Sequence, residues 1–130
     1  MDVIIMDMGH DIKGETSTPG FENKIELLSF SHGDATDRTS GRRDYKDMTV
    51  SKYLDTVSPV LHRGSLEGKV FPRVDIIVGR NDPGRVSVLL RYTMKDVLIS
   101  SVSVSGGAGD LPVETLTLNY NSITWDYSLG

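Results

Sequence analysis

Apolar residues in this chain recur at every second position, in segment after segment, and that period makes a strand with one covered face the unit of structure. Val86, Val88, Leu90 and Tyr92 alternate with Ser87, Leu89, Arg91 and Thr93. Val74, Ile76 and Val78 alternate with Arg73, Asp75 and Ile77, and Met48 and Val50 alternate with Thr49 and Ser51. Further on, Leu116, Leu118 and Tyr120 alternate with Thr115, Thr117 and Asn119, before Ile123, Trp125 and Tyr127 alternate with Thr124 and Asp126. With Met1 to Met8 read as a first strand, about eight strands are expected. Turn signals separate them at Pro19-Gly20, Gly79 to Gly84 and Gly106 to Asp110. Short strands joined by short turns imply a mainly β protein, an antiparallel β-barrel or sandwich.

Two local departures refine this picture. From Ile25 to His32 the alternation changes phase: Ile25 and Leu27 share one parity, Leu28 and Phe30 the other. A bulge near Leu27 or Leu28, or a strand covered on both faces, accounts for that. One short α-helix is expected after Ser58-Pro59, with Ser58 as N-cap, Pro59 in the first turn, Val60 and Leu61 on the apolar face, and Gly64 or Gly68 at the end. Its expected place is over an open end of the barrel.

Composition narrows the function. The 130 residues carry 14 Lys plus Arg against 18 Asp plus Glu, a net charge of −4, which disfavours nucleic-acid and anionic-membrane partners. Without cysteine there is no disulfide framework, Cys-type zinc site or thiol nucleophile. A single domain of this length buries roughly 65 to 70% of its unfolded surface and needs no metal staple. The first residues carry acids where a secretory signal carries Lys or Arg, and no run approaches the roughly 20 apolar residues of a membrane helix. Synthesis in the cytosol, with any export lacking a cleaved signal, is expected.

Catalytic and cofactor motifs fail on chemistry. Gly64 to Val70 has three residues between its glycines and Val70 after the lysine, where a phosphate loop needs four and a hydroxyl for magnesium. Gly106-Gly107-Ala108-Gly109 leads into a strand, so no helix N-terminus waits for a phosphate. His10, His32 and His62 lack ligand spacing and read as scattered surface residues, and Asp2, Asp7, Asp11 and Glu15 are not spaced like a calcium loop. No serine sits in a Gly-x-Ser-x-Gly elbow. No catalytic residue, metal or cofactor is expected.

Two features ask for more than a solvated surface. The outward faces of several strands are Ser and Thr (Thr49, Ser51, Ser101, Ser103, Thr115, Thr117) rather than Lys and Glu, which suits a face set against another surface or a confined, water-filled space. The stretch Asp34 to Asp47 sets Asp34, Asp37, Asp44 and Asp47 against Arg38, Arg42, Arg43 and Lys46, a neutral but densely charged loop of a kind that can dock on another neutral, charged face and more often is only solvated. Trp125 is expected to anchor the core or an interface.

Ile12-Lys13-Gly14-Glu15, then Ile25 to Gly33, then Asp47 to Asp55 with Ser58-Pro59, then Val97 to Ser103 and Glu114 to Tyr120 ending in Trp125-Asp126-Tyr127, resemble in order and spacing the haemolysin-coregulated protein (Hcp) family of bacterial type VI secretion. The resemblance spans nearly the whole chain. It implies a β-barrel protomer with one helix, closed into a homo-hexameric ring, with no enzyme activity. Rings stack into the inner tube that a contractile sheath and its spike eject, and effector proteins travel in the lumen. The protein would pass from the bacterial cytoplasm to the outside by that route. The family's lumen-facing, effector-binding serine matches Ser31, with Ser29 its neighbour on the same parity. The loop that reaches the next ring matches the segment holding Asp34, Asp37, Arg38, Arg42, Arg43 and Asp44, shorter here than is usual. The end at Gly130 leaves no room for a fused toxin domain, so a payload is expected to bind non-covalently. The rival reading is a monomeric small β-barrel enzyme or ligand-binding module, which needs a concave pocket with converging polar groups.

Overall fold

The structure, a computed structural model, describes residues 2–9, 12–16, 21–32, 47–82 and 85–127. In chain order the elements are β1 (Asp2–Asp7), β2 (Ile25–Leu27), β3 (Ser29–His32), β4 (Asp47–Tyr53), α1 (Ser58–Glu67), β5 (Val70–Asp82), β6 (Arg85–Ser105), β7 (Val113–Asn119) and β8 (Ser122–Tyr127). All strands join one antiparallel sheet in the order β2-β1-β5-β6-β7-β4-β3, with β8 added to β6 beside β7.

The phase change at Leu28 is where the two ends of that order meet. β2 pairs with β1 through Leu27 opposite Ile4, and one residue on, β3 pairs with β4 through Ser29 opposite Ser51. Leu28 makes the handover, its N–H donating to the Ser51 carbonyl at 2.7 Å. Buried Ile25 and Leu27 give way to half-buried Phe30 and His32, so the parity that faces the core flips with the partner. The sheet thereby curls into the expected barrel, filled by Met6, Met48, Val50, Ile76, Leu116 and Leu118.

The strands of the β5–β6 hairpin are far longer than the short strands expected. The segment Gly79 to Asn81, read as turn, is strand: Arg80 pairs with Ser87 and Asn81 with Val86 beyond a register shift at Val78/Gly79. Gly79 tolerates this because a Cβ there would lie 2.5 Å from Val86 Cγ1 and 3.2 Å from the Ser87 carbonyl oxygen. The alternation around Val86 to Thr93 does not become alternating burial either. All eight residues are partly buried, because this half of the hairpin runs past the core as an arm. β6 uses one edge for β5 and divides the other between β8 (Leu90 to Lys95) and β7 (Leu98 to Ser105). Asp96, with φ 54°, marks the joint.

α1 corrects one local expectation. Ser58 is its first residue, not its cap; Val57 precedes it with helical backbone and no side-chain cap. Asp55 Oδ1 instead accepts the Val57 N–H at 3.1 Å, while the Ser58 hydroxyl accepts the Asp55 N–H at 3.0 Å. Ser58 is drawn away from capping because it also meets Lys52 Nζ at 3.2 Å. Gly68, at φ 65°, ends the helix, with the Lys69 N–H donating to the Gly64 carbonyl at 2.9 Å. Gly64 lies inside the helix against Phe71, whose ring a Cβ would meet at 3.2 Å. The stretch read for a phosphate loop is therefore a helix C-terminus, whose dipole repels anions.

Beneath the start of α1 lies a buried ionic knot. Lys52 and Glu114 are cross-strand partners on the core-facing parity of β4 and β7, and both side chains are fully buried. Lys52 Nζ donates to Glu114 Oε1 at 3.0 Å, Asp55 Oδ1 at 2.9 Å and the Tyr53 carbonyl at 3.0 Å. His62 Nε2 lies 2.7 Å from Glu114 Oε2, so this histidine is tied to the barrel rather than scattered on the surface. Each partner is repaid for its lost water only while the other is present. Among the described residues no helix is long and apolar enough to cross a membrane.

Lys52→Met, by stranding the Glu114 carboxylate, is expected to cost about 3–5 kcal/mol in denaturant unfolding, and Lys52→Met with Glu114→Gln less than the sum of the two single changes. Asp7 gives a second test. Burial would raise its carboxyl pKa, but the Gly9 N–H and Lys24, at 3.1 Å, outweigh that and hold it below the ordinary value. A depressed carboxylate stabilises above its unfolded-state pKa, and that stabilisation is lost as pH falls through the folded value. Asp7→Asn is expected to flatten the acid side of the stability profile, measured by thermal midpoint against pH, and to leave the neutral side parallel to the parent.

Candidate functional site

The alternation that sends Met48, Val50, Leu116 and Leu118 inward turns hydroxyls outward, and strand register lines them up. Ser31 is opposite Thr49, Thr49 opposite Thr117, and Thr117 opposite Ser101. Two residues along, Ser29 is opposite Ser51, Ser51 opposite Thr115, and Thr115 opposite Ser103. Four strands thus present two rows of four hydroxyls. At strand spacings near 4.8 Å the patch is roughly 15 Å wide and about 7 Å between rows. Ser29, Ser31, Ser101 and Ser103 are exposed, and the four inner members half-buried.

No charged residue interrupts the two rows. They are bounded on one side by Asp47, Asn119 and Leu98, and on the other by Tyr53, Val113 and Ser105. Within the lattice, Ser29 Oγ and Ser51 Oγ are 2.5 Å apart and share a hydrogen bond. The register shift at Ile99/Ser101 frees Ser100, whose hydroxyl donates to the Thr117 carbonyl at 3.2 Å. The chemistry available is hydrogen bonding from a stiff, neutral floor, since the core lies directly beneath. His32, the imidazole nearest in sequence, has the opposite parity: its Nε2 is 2.7 Å from Tyr120 Oη, and its ring packs on Tyr92, Tyr120 and Trp125. It is not available to activate Ser31. Among the described residues no three His, Cys, Asp or Glu side chains gather as a metal site.

Ser31 and Ser29, singled out from the sequence, therefore form one end of the lattice, and all six Ser and Thr residues noted for their outward parity complete it. Asp34, Asp37, Arg38, Arg42, Arg43 and Asp44 lie outside the described residues, as do His10, Asp11, Pro19-Gly20 and Pro83-Gly84. Trp125 is 56% exposed, so it is not a core anchor: β8 runs out along the arm, and of its residues only Ile123 reaches the core. Sequence reasoning missed the Lys52–Glu114 knot. The signal was present, because Lys52 continues the inward parity of Met48 and Val50, and Glu114 that of Leu116 and Leu118.

Comparison with known proteins agrees with this architecture. The family model described as type VI secretion system effector, Hcp, matches residues 5–127. The protein Hcp1 of Pseudomonas aeruginosa is 29% identical over 126 residues, covering 90% of this chain and 78% of its own. Hcp1 of Salmonella typhimurium superposes with a TM-score of 0.82 at 24% identity, over 98% of this chain and 86% of that one. A type VI secretion system effector from Yersinia pestis gives 0.81 at 23% identity, over 98% and 91%. The tube-terminating cap of the anti-feeding prophage shares the fold more distantly, at 0.59 and 15% identity, over 96% and 88%. A barrel closed at Leu28, with α1 knotted to β4 and β7 and a family match over almost its whole length, places this chain in the Hcp family of type VI secretion tube proteins.

Proposed function

We propose that six copies of this chain close into a ring, that rings stack into a tube, and that the hydroxyl lattice lines the bore and holds effector proteins by hydrogen bonds. The observation that carries this reading is the lattice itself: eight Ser and Thr side chains in register on four strands, uncharged, with Ser31 at the rim. A solvent-facing β-surface is usually marked by Lys and Glu; a wall facing confined water and a passing cargo needs many weak, neutral donors and acceptors instead. Such a wall retains a folded passenger without the tight ion pairs that would slow its release. Repetition of one heterologous contact closes the ring, and six copies at −4 carry a net charge of −24, which keeps the assembly soluble. The role is structural and conveying rather than catalytic. The ring leaves the cytoplasm with its cargo when sheath and spike are fired, and the loop holding Asp34 to Asp44 meets the next ring.

Native mass spectrometry of the full chain is expected to give six times 14.3 kDa, with open-centred rings by electron microscopy. A solitary monomer that binds a small ligand would replace this reading by the rival one. Ser31→Arg is expected to leave the ring mass unchanged and stability within about 0.5 kcal/mol, since the site is exposed. It should also reduce retention of co-purifying effectors; unchanged retention removes Ser31 from the cargo surface.

A further inference from the structure

Two uncovered apolar patches lie at opposite ends of β6. At the arm end, Trp125 and Tyr127 of β8 stand opposite Tyr92 and Leu90 and are 56% and 72% exposed. β8 has a free edge as well: among the described residues it pairs with β6 alone, and Ser122–Tyr127 holds a single charged residue, no lysine and no proline. An apolar edge strand left unguarded in this way invites a second chain. At the other end, Leu28, Tyr53, Leu54 and Leu111 line a groove of about 320 Å³ beside the exposed carboxylates of Glu15 and Glu26. Tyr53 and Ser105 both pair with Val113, so the groove adjoins the far end of β6, some 40 Å along the strand from Tyr92 at about 3.3 Å per residue.

Charge follows the same division. The hairpin from Val70 to Lys95 together with β8 holds five basic residues (Arg73, Arg80, Arg85, Arg91, Lys95) and three acidic ones (Asp75, Asp82, Asp126), a net +2 in a chain of −4. Two arms facing each other would set like charges together, whereas an arm against a groove sets opposite charges together. A self-complementary contact would also stop at a dimer, while a contact between unlike patches goes on around a ring. We propose that each ring contact is arm-in-groove: the Trp125 and Tyr127 edge of one copy seats in the Leu28, Tyr53, Leu54 and Leu111 groove of the next, with the basic hairpin against Glu15 and Glu26. This rests on the ring reading and assigns its two faces. It gives Trp125 its anchoring role between copies, where the protomer leaves it uncovered.

The test uses two full-length variants, one with a damaged arm (Trp125→Glu with Tyr127→Glu) and one with a damaged groove (Leu54→Glu with Leu111→Glu), followed by native mass spectrometry. Each alone is expected to lose the six-fold species and run as a monomer with the parent's circular dichroism. Mixed in equal amounts, they are expected to form a one-to-one pair and no ring, because one intact arm and one intact groove remain. Either variant keeping the full ring, or a mixture that stays monomeric, overturns the assignment and leaves the ring reading standing. A parent chain that forms no ring overturns the ring reading itself. If the double arm variant fails to fold, Tyr127→Glu alone replaces it, at a side chain that contributes little to the protomer.

Discussion

Closure of the sheet depends on one exchange of main-chain partners. At Leu28 the chain stops hydrogen-bonding to β1 and begins bonding to β4, and the two terminal strands of the sheet become one continuous strand. Every later feature inherits that geometry. With its edges spent on each other, the barrel buries its core without a second sheet, and β3 is held against β4 in the register that puts Ser29 beside Ser51 and Ser31 beside Thr49. A slip of one residue would turn the hydroxyls into the core and Phe30 into water. The floor of the candidate site and the seal of the barrel are thus the same few hydrogen bonds.

The Lys52–Glu114 pair plays a different part. It sits on core-facing positions where two aliphatic residues would pack more simply, and its net contribution to stability is small when desolvation is counted. What it does is direct. Lys52 reaches Asp55 and Ser58, Glu114 reaches His62, and these contacts fix the entry and first turns of α1 over the ends of β4 and β7. An aliphatic pair would bury as well but would make none of these contacts with Asp55, Ser58 and His62.

The chain is unevenly finished, and the unevenness has a direction. Core, knot and lattice lie at the barrel, whose interior is filled and whose β3-β4-β7-β6 face is hydroxylic. The arm and β8 extend past it with aromatic side chains exposed and a strand edge that pairs with nothing further among the described residues. Proteins that work alone blunt such edges with lysine, proline or a covering loop. Leaving this one bare on a net-positive hairpin, at the far end of β6 from an acidic apolar groove, is consistent with a surface completed by another copy.

Local pattern carried a large part of this. Period-two alternation is a property of the extended chain, so the number of strands, the phase change near Leu28, the single helix after Ser58-Pro59 and the outward parity of the Ser and Thr residues were legible without a structure. The family resemblance was legible in the order of the motifs, and it singled out Ser31 and Ser29 as candidates. Parity alone says which side of its own strand a residue faces, never which residue of another strand stands beside it. Tertiary structure alone decided that eight hydroxyls fall into two rows, that Lys52 meets Glu114 across 62 positions of sequence, that Ser58 serves that pair instead of capping the helix, and that Trp125 lies beyond the core. Register and strand length are set by pairing between distant segments, and that pairing exists only once the barrel has closed.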